Sequence, residues 1–200
     1  MNLQNKIWFK DIGLPKYFCD IVLKHGLNKE ILEGLTQGVE DNPTKKNLIE
    51  QKKTIRNSNI SWLNDQWIYN EITPFIKDAN ISSNWNFDVE TFQDCQFTIY
   101  KNTNFYDWHM DMTSKAHTHG PYVGKLRKLS MSILLNDPSE FEGGNLQFDY
   151  KENNNRITEF RFFKQGSCVV FPSFLWHRVT PVTRGVRYSL VIWVLGKPFK

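Results

Sequence analysis

Two histidines, one aspartate and one arginine carry the chemistry open to this 200-residue chain. His109-Met110-Asp111 sets an imidazole and a carboxylate two residues apart, and His177 offers a second imidazole far downstream. In a strand, or at its end, residues two apart point to the same side, so His109 and Asp111 can reach one ion. Two imidazoles and one carboxylate can bind one face of Fe(II) and leave the opposite face open, which is what oxygen chemistry needs. Arg187 sits in an otherwise apolar stretch, and its planar guanidinium can clamp a carboxylate through two parallel hydrogen bonds. Ser189, on the same strand face, can add a hydroxyl donor to the same anion. Each residue also has a plainer reading. The triplet alone arises often by chance and fits a surface pair beside packed aromatics. His177 fits a half-buried imidazole bonded to backbone. Arg187 fits an internal ion pair with an Asp or Glu, because an unpaired buried guanidinium is costly.

The neighbours of these residues bear on the choice. Tyr100, Tyr106, Trp108 and Trp176 put large rings beside the ligand positions, where they would exclude water. His117 and His119 form a rival pair, but the segment around them is rich in Gly, Pro and Lys and reads as a loop that could serve as a lip over the site. Lys125, Arg127 and Lys128 could attract an acidic substrate, though a solvated basic face is the preferred reading. Glu142-Gly143-Gly144-Asn145-Leu146 reads as a tight turn into a strand, and no helix start follows that would make it a phosphate loop.

The elements that must position these groups follow from hydrophobic period. Leu14-Pro15 followed by Tyr17, Phe18, Ile21 and Val22 predicts a helix closed at Gly26. Trp67, Ile68, Ile72, Phe75 and Ile76 predict a second, with Pro74 as a kink or restart. Residues 34–59 are polar and lysine-rich and read as a surface stretch poor in helix. From about Trp85 the period becomes two. Strands are expected at Phe92–Tyr100, Lys128–Leu135, Asn145–Tyr150, Thr158–Phe163, Ser167–Phe171 and Val186–Leu195, separated by Asn/Asp/Gly/Pro turns. Many short strands so spaced mean a sandwich, jelly roll or barrel. In the last strand Tyr188, Leu190, Ile192 and Val194 form a wholly apolar face that something must cover, and the early helices are the available cover.

Composition sets the outer limits. A net charge of +4 without a dense Lys/Arg stripe argues against nucleic acid. No apolar run reaches the ~20 residues that span a bilayer. Cys19, Cys95 and Cys168 form no CxxC pair, so a zinc ribbon is not indicated. With no apolar core at the N-terminus, scattered thiols favour a reducing compartment, and the cytoplasm is the expected location.

With these residues in hand, the chain resembles the iron(II)/2-oxoglutarate dioxygenases of the prolyl 4-hydroxylase type, nearest to the proline/lysine-hydroxylase-domain group that uses arginine as its cosubstrate clamp. Tyr100 to Asp111 is similar to the family's run ending in HxD. Phe141-Glu142-Gly143-Gly144-Asn145-Leu146 resembles its EGGxL turn, and Gly166–Pro172, His177–Val182 and Gly185–Leu190 resemble its closing segment. Thr103 stands where the family often has glycine, and Asn145 replaces a common acidic residue.

The resemblance implies a mainly β fold, a double-stranded β-helix (jelly roll) with helices packed on the major sheet. It implies one domain over residues 1–200, with a helical support region at 1–84 and a jelly-roll core at 85–200. It implies His109, Asp111 and His177 as Fe(II) ligands, Arg187 and Ser189 on the distal carboxylate of 2-oxoglutarate, and Tyr100 as a further cosubstrate contact. It implies hydroxylation of an unactivated C–H, of a prolyl or other residue in a peptide or protein lying between Tyr106, the His117–His119 loop and Trp193. O2 would be consumed, succinate and CO2 released, and ascorbate would serve as an accessory reductant. Two other readings stand beside this one. A jelly roll can be a metal- or ligand-binding module without turnover. A related oxygenase chemistry repairs alkylated bases, but the further arginine motif of that group is not matched by Arg178 and Arg184.

Overall fold

The computed structural model describes residues 6–34, 55–150, 157–160, 162 and 164–199. Among them are two helices, α1 (Lys16–Leu27) and α2 (Gln66–Ser82). Four strands precede Trp85: β1 (Trp8–Lys10), β2 (Leu32–Glu33), β3 (Arg56–Asn57) and β4 (Asn59–Leu63). Ten follow it: β5 (Thr91–Phe92), β6 (Cys95–Lys101), β7 (Phe105–His109), β8 (Leu126–Leu134), β9 (Phe141–Gly143), β10 (Leu146–Asp149), β11 (Ile157–Phe160), β12 (Cys168–Pro172), β13 (Trp176–Val179) and β14 (Val182–Gly196). The larger sheet has nine strands, ordered β1-β12-β8-β14-β6-β4-β2, with β5 and β9 also paired to β14. The smaller has five, ordered β11-β10-β13-β7-β3. Every pairing is antiparallel. This is the expected jelly roll.

β14 explains the layering. Its Leu190, Ile192 and Val194 are buried in one cluster with Phe18 and Val22 of α1 and Ile68, Ile72, Ile76 and Ala79 of α2. The helices therefore cover the apolar face of the larger sheet, as the period of both elements required. Each fully buried Leu or Ile in this layer contributes about 1.5–3 kcal/mol. α1 can lie close because Gly26 has no side chain: a Cβ there would sit 2.4 Å from the Phe97 ring of β6. α2 runs unbroken through Pro74, so the expected restart does not occur. A second cluster, with Tyr100, Leu134, Phe148, Phe171 and Val179, fills the space between the two sheets.

The first 84 residues supply more than helices, since β1 and β4 extend the larger sheet and β3 extends the smaller. The polar stretch expected at 34–59 is corrected at its end: residues 35–54 lie outside the described residues, but Arg56–Asn57 pairs with β7 and Asn59–Leu63 with β6. Propensity misled because these strands draw their stability from tertiary pairing, which local polarity does not reveal. No described helix is long and apolar enough to cross a membrane.

Candidate metal and cosubstrate site

The smaller sheet brings the two histidines together. His109 closes β7 and His177 lies on β13, and the two are directly paired in the ladder. Cross-strand partners put their side chains side by side, and the rings sit 4.1 Å apart between centroids. Asp111 lies two residues beyond the end of β7, where its N–H and that of Met112 both donate to the Ser173 carbonyl at 2.9 Å. Its carboxylate stands 3.7 Å from His109 Nε2 and 3.5 Å from His177 Nε2. The three ligand atoms all fall within 4.8 Å of one another.

The hydrogen bonds around this group select its chemical form. His109 Nδ1 donates to the Asp107 carbonyl at 2.7 Å and His177 Nδ1 to the Leu175 carbonyl at 2.9 Å. A carbonyl only accepts, so each ring carries a proton on Nδ1 and turns its Nε2 toward Asp111. Ser130 of β8 donates to Asp111 Oδ2 at 2.7 Å and bonds Ser173 at 2.8 Å. Burial, then the neighbouring His177, holds His109 down at about 3, so it is neutral at physiological pH. Burial opposes ionisation of Asp111, but the imidazoles of His177 and His109, the Arg127 guanidinium and the Ser130 hydroxyl outweigh it and hold the carboxyl at about 2. Two imidazoles and a carboxylate, each oriented by an outer hydrogen bond, fit a divalent iron ion as ligands.

The larger sheet builds the other end. Arg187 and Ser189 of β14 and Tyr100 of β6 line the same pocket as the three ligands, a cavity of about 440 Å³ with its mouth included. Tyr100 is the ladder partner of Arg187. Arg187 is 1% exposed, yet among the described residues no carboxylate meets it; it donates only from Nη1, to Ser189 Oγ at 3.2 Å. Nε and Nη2 are buried without partners. These two atoms form one side of the guanidinium fork, the side that takes a carboxylate in bidentate fashion. Desolvation pulls the group down to about 10, and it remains a cation at neutral pH. Among the described residues the internal ion pair considered from sequence is not found. An orphaned buried fork is expensive unless an anion arrives from outside, so the residues fit a dicarboxylate cosubstrate. Gly144 lets the arginine lie where it does, since a Cβ there would come within 2.8 Å of Arg187 Cδ.

Other expectations fare unevenly. Tyr106 lines the pocket and stacks flat on His109, 3.5 Å between centroids and 9° between planes. Trp108 and Trp176 do not line it: each is the strand neighbour of a ligand histidine and so faces the opposite side. Trp108 instead packs against the Arg178 guanidinium. His117 and His119 are not part of the ligand group; His117 packs near Tyr122 and burial lowers its pKa. Only Lys125 of the basic trio is where a solvated face would put it, paired with Glu90. Arg127 is buried, stacked 3.8 Å over Trp193 and bonded to Gln93, and Lys128 is buried over the Phe199 ring.

One pocket group was missed altogether. Arg56 of β3 is buried and donates to Ser58 Oγ at 2.9 Å and Gln96 Oε1 at 2.6 Å. Its guanidinium carbon lies 4.6 Å from the Tyr106 ring, which continues the stack on His109. The available signal was the isolated arginine just before the alternating run Asn59–Leu63.

Comparison with known proteins agrees with this geometry. A family profile described as the 2OG-Fe(II) oxygenase superfamily matches residues 95–195, half of the chain. The PKHD-type hydroxylase YbiX of Escherichia coli O157:H7 is 35% identical over 99 residues, 49% of this chain and 40% of that protein. The chain therefore spans about two fifths of the length of the curated relatives it matches. Among solved structures, the viral collagen prolyl hydroxylase of Paramecium Bursaria Chlorella virus-1 superposes with a TM-score of 0.67 at 18% identity, covering 96% of this chain and 97% of that one. A Pseudomonas putida prolyl-4-hydroxylase gives 0.66 at 19% identity, covering 98% and 95%. A Trichoplax adhaerens prolyl hydroxylase bound to a hypoxia inducible factor peptide fragment gives 0.63 at 17% identity, covering 96% and 84%. At these identities the structural likeness establishes the fold.

Proposed function

The chain belongs to the 2OG-Fe(II) oxygenase superfamily, and from that premise we propose that it is a hydroxylase of an unactivated C–H in a peptide or protein, with a prolyl residue as the leading target. His109, Asp111 and His177 would hold Fe(II); Arg187 and Ser189, with Tyr100 beside them, would hold the distal carboxylate of 2-oxoglutarate. The observation that carries the reading is the buried guanidinium fork left without an anion in the same pocket as a three-ligand group. The peptide substrate is supported by the Trichoplax adhaerens prolyl hydroxylase of like fold, which binds a hypoxia inducible factor peptide fragment. All three thiols are buried and unpaired, which suits a reducing compartment such as the cytoplasm.

Bound iron would supply the hard step, coupling decarboxylation of 2-oxoglutarate by O2, with release of succinate and CO2, to hydroxylation of the substrate. The protein's own share is positional. The Nδ1 protons of both histidines, tied to backbone carbonyls, keep the Nε2 lone pairs available. Ser130 keeps the Asp111 carboxylate turned to the same centre. Arg187 fixes one end of the cosubstrate, so its other end is delivered in one orientation. Tyr106, Phe171 and Leu146 line the walls with apolar surface and exclude water. Ascorbate, as accessory reductant, belongs to the same proposal.

The test is incubation with Fe(II), 2-oxoglutarate, O2 and short proline-centred peptides, with and without ascorbate. The expected result is enzyme-dependent succinate and a peptide heavier by one oxygen. No succinate above the enzyme-free control, from protein loaded with iron, would refute the proposal.

A further inference from the structure

A second cavity meets the cosubstrate clamp from its other side. It encloses about 700 Å³ with its mouth included, and Arg187 and the buried ring of Phe162 belong to its floor. Among the described residues, Arg187 alone lines both this cavity and the pocket that contains the metal ligands. Its guanidinium carbon stands 5.6 Å from the Tyr100 ring, which lines the first space, and 5.4 Å from the Phe162 ring, which lines the second. The arginine is therefore a partition between the two.

The turn that enters β10 completes the partition. Asn145 lines the second cavity and Leu146 the first, as successive residues entering a strand do. Gly143 (φ +74°) and Gly144 (φ +63°) carry no side chains that would close the opening. A Cβ on Gly144 would lie 2.8 Å from both Arg187 Cδ and Val182 Cγ2. Hydrogen bonds fix this rim: Gly144 N–H donates to the Pro181 carbonyl at 3.1 Å, and Asn145 N–H to Thr180 Oγ1 at 2.9 Å.

Charge favours an anion here. The described lining has one charged group, the Arg187 guanidinium, and no carboxylate. Acids of the adjoining segment are engaged elsewhere: Glu142 with Arg184 at 2.9 Å, and Asp137 with Glu140 in the capping box of the turn at Pro138–Glu140. A partition must also be able to yield. Arg187 donates one hydrogen bond, from Nη1 to Ser189, while its Nε and Nη2 have no partner among the described residues. Swinging the side chain aside breaks only that bond.

We propose that this cavity is a second mouth for small dicarboxylates: 2-oxoglutarate reaches the arginine fork through it and succinate leaves by it, with the Arg187 side chain as the gate. The inference rests on the cosubstrate reading above and adds a route to that site. Both molecules are slim dianions that the same guanidinium attracts. The peptide belongs to the opposite, metal end of the pocket. A separate mouth lets cosubstrate and coproduct exchange while the metal end stays covered, so one bound peptide can pass through several turnovers.

The experiment narrows the mouth without touching the fork. Asn145→Trp sets a large ring on the rim and keeps both backbone hydrogen bonds to Thr180. Asn145→Asp keeps the size and adds a negative charge. Uptake of labelled 2-oxoglutarate, and its release into an unlabelled chase, are timed on Fe(II)-loaded protein without oxygen. An obstacle on a route raises the barrier in both directions and leaves the affinity of the site alone. For Asn145→Trp the expected result is association and release each about tenfold slower, with Kd within about twofold of wild type. Asn145→Asp should associate about threefold more slowly at low salt, and the difference should vanish near ~0.5 M salt. Undiminished association in either variant would overturn the inference. A weaker Kd without slower release in Asn145→Trp would make the residue part of the binding site and overturn it likewise. Should the tryptophan variant not fold, the aspartate variant decides alone. Failure of wild type to bind 2-oxoglutarate would overturn the cosubstrate reading and this inference with it.

Discussion

The two ends of the pocket are made by different sheets and solved in different ways. At the metal end the smaller sheet sets His109 and His177 side by side as ladder partners, and each of the three residues His109, Asp111 and His177 is held by an outer hydrogen bond. At the clamp end the larger sheet buries Arg187 with two of its nitrogens unsatisfied. One end is complete and needs only an ion; the other carries a buried charge that none of the described residues neutralises. The lesson is that satisfaction marks where a site is organised, whereas a deficit marks where its small ligand must dock. The β6–β7 connection joins the two, delivering Tyr100 from one sheet and His109 from the other across the turn at Asn102-Thr103.

The comparison can be broken most severely at the metal end. His177→Ala should abolish iron retention and cut succinate formation about a thousandfold or more, ~4 kcal/mol in barrier terms, as measured by metal analysis after desalting and by coupled succinate assay. At the clamp end Arg187→Met should raise the KM for 2-oxoglutarate about a hundredfold with iron affinity nearly unchanged. The same variant should melt higher than wild type, because it replaces an uncompensated buried charge by an apolar chain of similar length. If it instead melts lower, the fork has a structural partner and the contrast between the ends fails. Ser130→Ala should weaken iron binding by about tenfold, read by competition with a chelator, and leave the cosubstrate clamp intact.

The smallest effect is expected at the turn between the ends. Thr103 has φ +68° and Asn102 φ +50°, the left-handed region that a β-branched residue adopts only with strain. Thr103→Gly should stabilise the protein by about 0.5–1 kcal/mol in denaturant unfolding, with iron and cosubstrate affinities unchanged.

How legible the site was depended on whether a residue's neighbours were near in sequence. His109 and Asp111 were readable because a two-residue spacing fixes their relative direction. Arg187 and Ser189 were readable because an arginine in an apolar strand demands an explanation. The helical cover over β14 followed from its period-two face, and Leu190, Ile192 and Val194 do pack on α1 and α2. Arg56 was hidden because it belongs to a two-residue strand with a polar sequence, recruited to the smaller sheet only by β7. Arg127 and Lys128 were misread as solvated because a cluster of charges looks alike whether it ends in water or lies over Trp193 and Phe199. Trp108 and Trp176 were misplaced because proximity in sequence to a ligand puts a strand residue on the wrong face. Thr103 departs from the glycine expected in that turn, yet the backbone there keeps the left-handed conformation.

The most direct test of the division between the two ends is anaerobic calorimetry of Fe(II) and of 2-oxoglutarate binding to wild type, His177→Ala and Arg187→Met. One ion and one cosubstrate molecule should bind each wild-type chain, the histidine variant should lose the ion, and the arginine variant should keep the ion and lose the cosubstrate. Undiminished 2-oxoglutarate binding by Arg187→Met, or undiminished iron binding by His177→Ala, would contradict the account.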